Sequence, residues 1–259
     1  MPFLEREDLR VHYALTGAAN APVVVLSNSL GTNFSMWDAQ LPVLEKQFRV
    51  LRYDTRGQGL TTVTPGPYTI EQLARDVLRL LDGLQLDRVN FCGLSKGGMI
   101  GMWLGAHAGE RLIKLVLCNT AAKIGTAEMW NARIDNVRKN GMKTIAPAVT
   151  ERWFTPEFRA QSPEVVLLTQ RMIENSPPEG YIACCEAVRD MDQRETISVI
   201  RVPALVIAGS KDSATPPSEA QFLKERIPGA QYVELKTAHL SNIEAPAQFT
   251  SALIRFLTV

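Results

Sequence analysis

Apolar and polar positions follow two different periods along this chain. Short runs rich in apolar residues recur at 23–26, 49–53, 89–93, 114–118, 203–208 and 230–235, and 23–26 is apolar at every position. Such runs suit strands of a parallel sheet buried on both faces. Residues 70–84 repeat instead with the helical period, and Ile70, Leu73, Val77, Leu80, Leu81 and Leu84 share one face. A strand of an N-terminal hairpin is expected over 9–15, and a closing helix over about 247–257. Strands and helices that alternate in this way predict an α/β fold, a mostly parallel sheet with helices on both faces.

One segment breaks the alternation. Residues 121–201 are helix-forming, richer in Arg and Glu, and punctuated by Pro147, Pro156, Pro163, Pro177 and Pro178. The segment reads as a helical cap inserted into a core built from 1–120 and 202–259. It would sit over the C-terminal ends of the strands, where open α/β sheets place their chemistry. Within it Trp130, Arg133, Ile134 and Val137 fall at i, i+3, i+4 and i+7, on one helix face. Arg133 has two readings there. Its stem can snorkel past apolar neighbours, or its planar fork can face a pocket and hold a carboxylate. Arg152-Trp153-Phe154 is a second cluster of arginine and aromatics, read as cap core or as pocket wall.

Composition narrows the function. The chain has 259 residues, 46% apolar, with a net charge of +1, so charge gives no case for nucleic acid or membrane binding. No stretch has the apolar length of a membrane span, and the first eight residues are too charged for a signal peptide. Cys92, Cys118, Cys184 and Cys185 show neither a disulfide framework nor a metal spacing. A reducing cytoplasm, with no metal and no organic cofactor, is the expectation. Oligomeric state is not legible.

The chemistry is carried by Gly93-Leu94-Ser95-Lys96-Gly97, which follows an apolar run and precedes a helix-forming one. Strand, G-x-S-x-G and helix in that order form a tight turn that lifts a serine hydroxyl above the sheet. The partners must follow as acid and then histidine. Of His12, His107 and His239, only the last lies far enough downstream. Asp212 stands three residues beyond the apolar run 204–209, whereas the strand at 114–118 leads into Asn119, not an acid. Ser95, Asp212 and His239 are therefore the candidate triad, and His12 and His107 read as structural. An oxyanion hole needs two amide donors. The N–H of Lys96 is one, and Leu30, in the loop after the first parallel strand, supplies the other.

These residues resemble the α/β-hydrolase superfamily, and within it the 3-oxoadipate enol-lactonases. The stretches that carry the resemblance include Leu26-Ser27-Asn28-Ser29-Leu30-Gly31-Thr32, Tyr53-Asp54-Thr55-Arg56-Gly57, Phe91-Cys92-Gly93-Leu94-Ser95, Arg152-Trp153-Phe154-Thr155 and His239-Leu240-Ser241-Asn242-Ile243-Glu244. The resemblance implies an eight-stranded sheet, the triad and oxyanion donors above, and a small lactone or ester substrate bearing a carboxylate. Arg133, Trp130 and Trp153 are the candidate substrate-binding residues. The chain departs from the family pattern twice. Lys96 stands where a small or apolar residue, often Met, is usual. Gln58 stands where Arg-Gly-His-Gly is usual. The Lys96 side chain has two readings, one in which it points away from substrate and pairs with a carboxylate and one in which it helps hold an anionic substrate or alters the barrier, and Gln58 is expected to affect loop packing. A general carboxylesterase is the competing reading, ahead of a cofactor-free haloperoxidase or a non-catalytic ligand receptor. Ser95 argues against haloalkane dehalogenases and many epoxide hydrolases, which need Asp at the elbow.

Overall fold

A computed structural model describes residues 2–6 and 8–259. Met1 and Glu7, part of the charged N-terminal stretch, lie outside the described residues. The strands are β1 (Phe3–Arg6), β2 (Leu9–Thr16), β3 (Val23–Ser27), β4 (Arg49–Tyr53), β5 (Val89–Leu94), β6 (Leu112–Cys118), β7 (Ala204–Gly209) and β8 (Gln231–Leu235). They form one eight-stranded sheet in the order β1-β2-β4-β3-β5-β6-β7-β8. β1 and β2 pair antiparallel, as do β2 and β4, and every later pair is parallel. β5 and β7 are buried along their whole length, which explains why they read as apolar runs, interrupted in β5 by the buried Asn90.

The helices outside the insertion are α1 (Leu41–Leu44), α2 (Ile70–Gly83), α3 (Lys96–His107), α9 (Pro217–Arg226), α10 (Ser241–Glu244) and α11 (Pro246–Thr258). Helix α2 starts where Thr69 caps it, its hydroxyl accepting from the Gln72 N–H at 3.0 Å. It buries Ile70, Leu73, Val77, Leu80 and Leu81, five of the six residues on the anticipated face. Asp76 is buried on the same helix, and Arg56 forks onto its carboxylate through Nε at 2.7 Å and Nη2 at 2.8 Å. That pair ties the loop after β4 to α2.

Between β6 and β7 the chain leaves the sheet and forms α4 (Ala127–Asn140), α5 (Ala146–Trp153), α6 (Pro156–Gln161), α7 (Pro163–Glu174) and α8 (Pro178–Asp190). Prolines begin α6, α7 and α8, where a missing N–H costs nothing. The two ends of this excursion meet, because the Gln193 N–H donates to the Ala122 carbonyl at 2.9 Å. Gln193 Nε2 also donates to the Met99 carbonyl of α3 at 3.0 Å. The apolar stripe of α4 buries Trp130, Ile134 and Val137, while Arg133 on that face stays partly exposed. No helix is long and apolar enough to cross a membrane among the described residues.

Candidate active site

The turn at Ser95 joins β5 to α3 with almost no room. Gly97 packs against the end of β3, where a Cβ would run into the Ser27 carbonyl, and a Cβ on Gly93 would strike the Gly97 carbonyl. Ser95 itself has φ 56° and ψ −116°, a strained backbone for a residue with a side chain. The strain is held from three sides. The Ser95 N–H donates to the Cys118 carbonyl at 2.9 Å. The Ser95 carbonyl accepts from Thr120 Oγ1 at 2.7 Å and from the Met99 N–H at 3.0 Å.

Asp212 and His239 meet at the ends of β7 and β8. His239 Nδ1 lies 2.9 Å from Asp212 Oδ2. The carboxylate also accepts from the Ala214 N–H at 2.8 Å, the Thr215 N–H at 2.9 Å, Thr215 Oγ1 at 2.7 Å and Asn119 Nδ2 at 3.0 Å. Burial alone would raise the Asp212 pKa, but the His239 charge and these donors overcome it and hold the group at about 2. Asp212 is therefore an anion across the working range, pointed at one imidazole nitrogen. Ser95 and His239 line the same cavity. Ser95 Oγ makes no hydrogen bond among the described residues, and nucleophile–base contacts of this kind often tighten only in the reacting complex.

Three supporting sets of contacts, made by Asn119, Glu244 and the Trp153 carbonyl, carry no signal in the linear sequence. Asn119 sits in the left-handed region at φ 44°. It donates to both Asp212 and the Ala238 carbonyl, the latter at 3.1 Å, while its own oxygen accepts from Ser241 Oγ at 2.6 Å. It thus braces the acid and the histidine loop together. Its place at the end of β6, beside the strand that carries the acid, is set by the sheet order. Glu244 accepts from the Ala238 N–H at 2.9 Å and from the Thr155 hydroxyl, so it joins the histidine loop to the insertion. The Trp153 carbonyl makes the same connection, accepting from the His239 N–H at 3.1 Å and the Leu240 N–H at 3.2 Å.

The loop after β3 is fixed by polar contacts. Asn28 Nδ2 donates to the Tyr53 carbonyl at 2.8 Å, and Trp37 Nε1 donates to Asn28 Oδ1 at 2.9 Å. Leu30 and Lys96 both line the cavity, and among the described residues neither backbone N–H meets an acceptor. The Lys96 amide also opens α3, so the positive end of that helix faces the same space.

The cavity holds about 340 Å³ and is walled by Trp130, Trp153 and Tyr181 beside Ser95 and His239. The Trp153 and His239 rings lie 5.8 Å apart. Four cationic residues, Lys96, Lys123, Arg133 and Arg152, line it, against one acid, Glu219. Among the described residues none of the four cations forms an ion pair. Desolvation and the neighbouring Arg133 charge both push the Arg152 guanidinium below its ordinary value, so the two arginines act on each other across this space. The Arg133 guanidinium stacks 5.1 Å above the Trp130 ring. A more open cleft of about 930 Å³ lies between β8 and α11, and none of the candidate triad lines it.

The remaining candidates fall as follows. His12 is buried against Asp54 at 2.7 Å, and His107 stacks on Trp103, both away from Ser95. The expected carboxylate partner of Lys96 is absent. Lys96 Nζ donates instead to the amide oxygen of Gln58 at 2.6 Å. Gln58 is thus more than loop packing, and the two departures from the family pattern are one contact.

Known proteins share this fold. Residues 22–246 match the alpha/beta hydrolase fold family. Over 96% of its length the chain is 43% identical to 3-oxoadipate enol-lactonase 2 of Acinetobacter baylyi, covering 94% of that protein. It is 36% identical to 3-oxoadipate enol-lactonase 1 of the same organism, over 97% of this chain and 94% of that one. The crystal structure of the enol-lactonase from Burkholderia xenovorans superposes with a TM-score of 0.98 at 46% identity, with full coverage of both chains. The protein is a carboxylic ester hydrolase of the α/β hydrolase family, in the group that contains the 3-oxoadipate enol-lactonases.

Proposed function

We propose that the protein hydrolyses 3-oxoadipate enol-lactone to 3-oxoadipate through an acyl-enzyme on Ser95. The observation that carries this reading is the charge of the cavity. A serine and a histidine backed by an aspartate face a small space that Arg133 and Arg152 line, and among the described residues neither arginine is in an ion pair. An acyl compound bearing its own carboxylate supplies the missing anion, and the named relatives act on such a lactone.

Ser95 Oγ attacks the lactone carbonyl and its proton passes to His239 Nε2. Asp212 fixes the other tautomeric position and stabilises the imidazolium. The N–H groups of Leu30 and Lys96 hold the oxyanion. Collapse breaks the ring C–O bond, and the departing enolate takes the proton from His239 and becomes the ketone. Water then attacks the acyl-Ser95 carbonyl, giving its proton to His239, and the carboxylate leaves as Ser95 recovers its proton. One water is consumed and no electron changes hands.

In this reading residues 121–201 form the cap that closes the site. Trp130 and Trp153 supply its apolar walls and Arg133 binds the carboxylate. Cytoplasmic action is part of the same reading, since all four cysteines are buried free thiols. Arg133→Ala should raise KM for the charged lactone by roughly 10–100-fold, with kcat and neutral ester hydrolysis nearly unchanged. Steady-state kinetics on both substrates check this, and equal losses on the two would remove Arg133 from the role.

A further inference from the structure

Lys96 and Gln58 meet across 38 residues of sequence in a place where nothing local favours a charge. The lysine side chain is fully buried. Its ammonium has one strong acceptor, Gln58 Oε1, and one soft neighbour, Cys184 Sγ of α8, at 3.9 Å. The Gln58 amide is turned by this contact, because an ammonium can only donate, and its own Nε2 is left buried without a partner. The charge also lies at the positive end of α3, where a cation is disfavoured. An unpaired buried ammonium is costly. The cost falls when a negative charge forms nearby, and Lys96 is one of the residues that line the cavity where an oxyanion would form.

We propose that the Lys96 side chain, clamped by the Gln58 carbonyl, is a positioning residue that stabilises the tetrahedral intermediate from behind the oxyanion hole, and only while it carries its proton. The proposal rests on the Ser95 acyl chemistry given above. It is separate from binding of the substrate carboxylate, because the field acts on the oxyanion of any ester. It therefore reads out in acylation rate, whereas Arg133 reads out in KM for charged substrates.

The charged and titratable groups that act on Lys96 come from two elements. Cys184 and Cys185 lie on α8, and Asp54 follows β4. Asp54 is already engaged by His12, by the Phe34 N–H at 2.8 Å and by the Leu60 N–H at 3.0 Å. Burial pushes Lys96 below the ordinary lysine value, with these three groups opposing it in part. Burial pushes the two thiols up, Cys185 to about 12, so they stay neutral while the lysine titrates. The sign follows. Below the lowered lysine pKa the ammonium is present and acylation is fast. As pH rises through it the charge is lost and acylation slows.

The test is kcat/KM for a neutral aryl acetate from about pH 6 to about pH 10, with Ser95→Ala as background. The full-length wild type is compared with Lys96→Met, Gln58→Glu and Cys184→Ala. The wild type should show an alkaline decline. Lys96→Met should lose about tenfold at neutral pH and show no such decline. Gln58→Glu should move the decline roughly one pH unit higher, because a carboxylate favours the ammonium. Cys184→Ala, which removes a group that favours the ammonium, should keep the decline and move it to lower pH. A Lys96→Met profile parallel to the wild type, or a decline that disappears in Cys184→Ala, would overturn the proposal. Should Lys96→Met fail to fold, Gln58→Glu decides alone, and an unshifted decline counts against it. A wild type with no Ser95-dependent turnover of either acetate or lactone would overturn the acyl chemistry itself and this inference with it.

Discussion

Asp212→Asn should lower kcat by about 10⁴-fold while the protein stays folded. The partners of the carboxylate explain the size of the effect. Oδ1 accepts two backbone N–H groups, from Ala214 and Thr215, which cannot turn away. An asparagine must therefore keep its oxygen there and place its NH2 where Oδ2 stood. That position is surrounded by the Asn119 amide nitrogen, Thr215 Oγ1 and His239 Nδ1. A donor now faces Nδ1, so the imidazole carries its proton on Nε2. In that tautomer His239 cannot accept the Ser95 proton. Steady-state kcat together with a melting curve checks the expectation. A variant that kept more than about a tenth of wild-type turnover would show that Asp212 does not orient the base.

The second large effect concerns stability. Asp76→Ala should cost about 3–5 kcal/mol, because it leaves the buried Arg56 guanidinium without its forked partner. Arg56 is 1% exposed. Its remaining acceptors are Asp8 at 2.7 Å and Thr64 Oγ1 at 3.1 Å, both on Nη1, so Nε and Nη2 lose their bonds inside the protein. The hydrogen bond that Arg56 donates to Asp76 is the main influence raising its pKa, and without it the guanidinium still keeps its charge, because its ordinary pKa lies far above the working range. For a chain of this length the loss corresponds to a fall in Tm on the order of 10 °C. Differential scanning calorimetry reads it directly. Asp76→Asn, which keeps the shape and one acceptor, should lose less. A shift under about 2 °C for Asp76→Ala would mean that Asp8 and water replace the pair. Arg56 immediately precedes Gly57 and Gln58, so activity should decline with stability as this loop loosens.

Much of this architecture is legible in the sequence because its signals are local. β5 and β7 are apolar at nearly every position, since both faces are covered, and α2 shows its buried face by spacing alone. The candidate set Ser95, Asp212 and His239 could be named because a strand–turn–helix motif singles out the serine and only one histidine, His239, lies beyond Asp212. What was not legible depends on which strand ends come together. Asn119 reads as a failed acid in the linear sequence. It acquires its bracing role because β6 ends beside β7, bringing its amide to Asp212. The Glu244–Thr155 contact joins residues 89 positions apart, and neither lies in a periodic pattern. Lys96 was expected to find a carboxylate, on the sound principle that buried charges are paired. It finds an amide, because the nearby Asp54 is saturated by His12 and two backbone N–H groups. Position 58 looked independent of position 96 for the same reason: a single pairwise contact leaves no trace in hydropathy.

The most direct test of the central claim is hydrolysis of 3-oxoadipate enol-lactone beside a neutral aryl acetate, with Ser95→Ala in parallel. The account predicts kcat/KM above roughly 10⁴ M⁻¹s⁻¹ on the lactone, well above the acetate, and loss of both in the variant. Turnover of the acetate without turnover of the lactone would contradict it and leave a general esterase whose cationic cavity serves another anion.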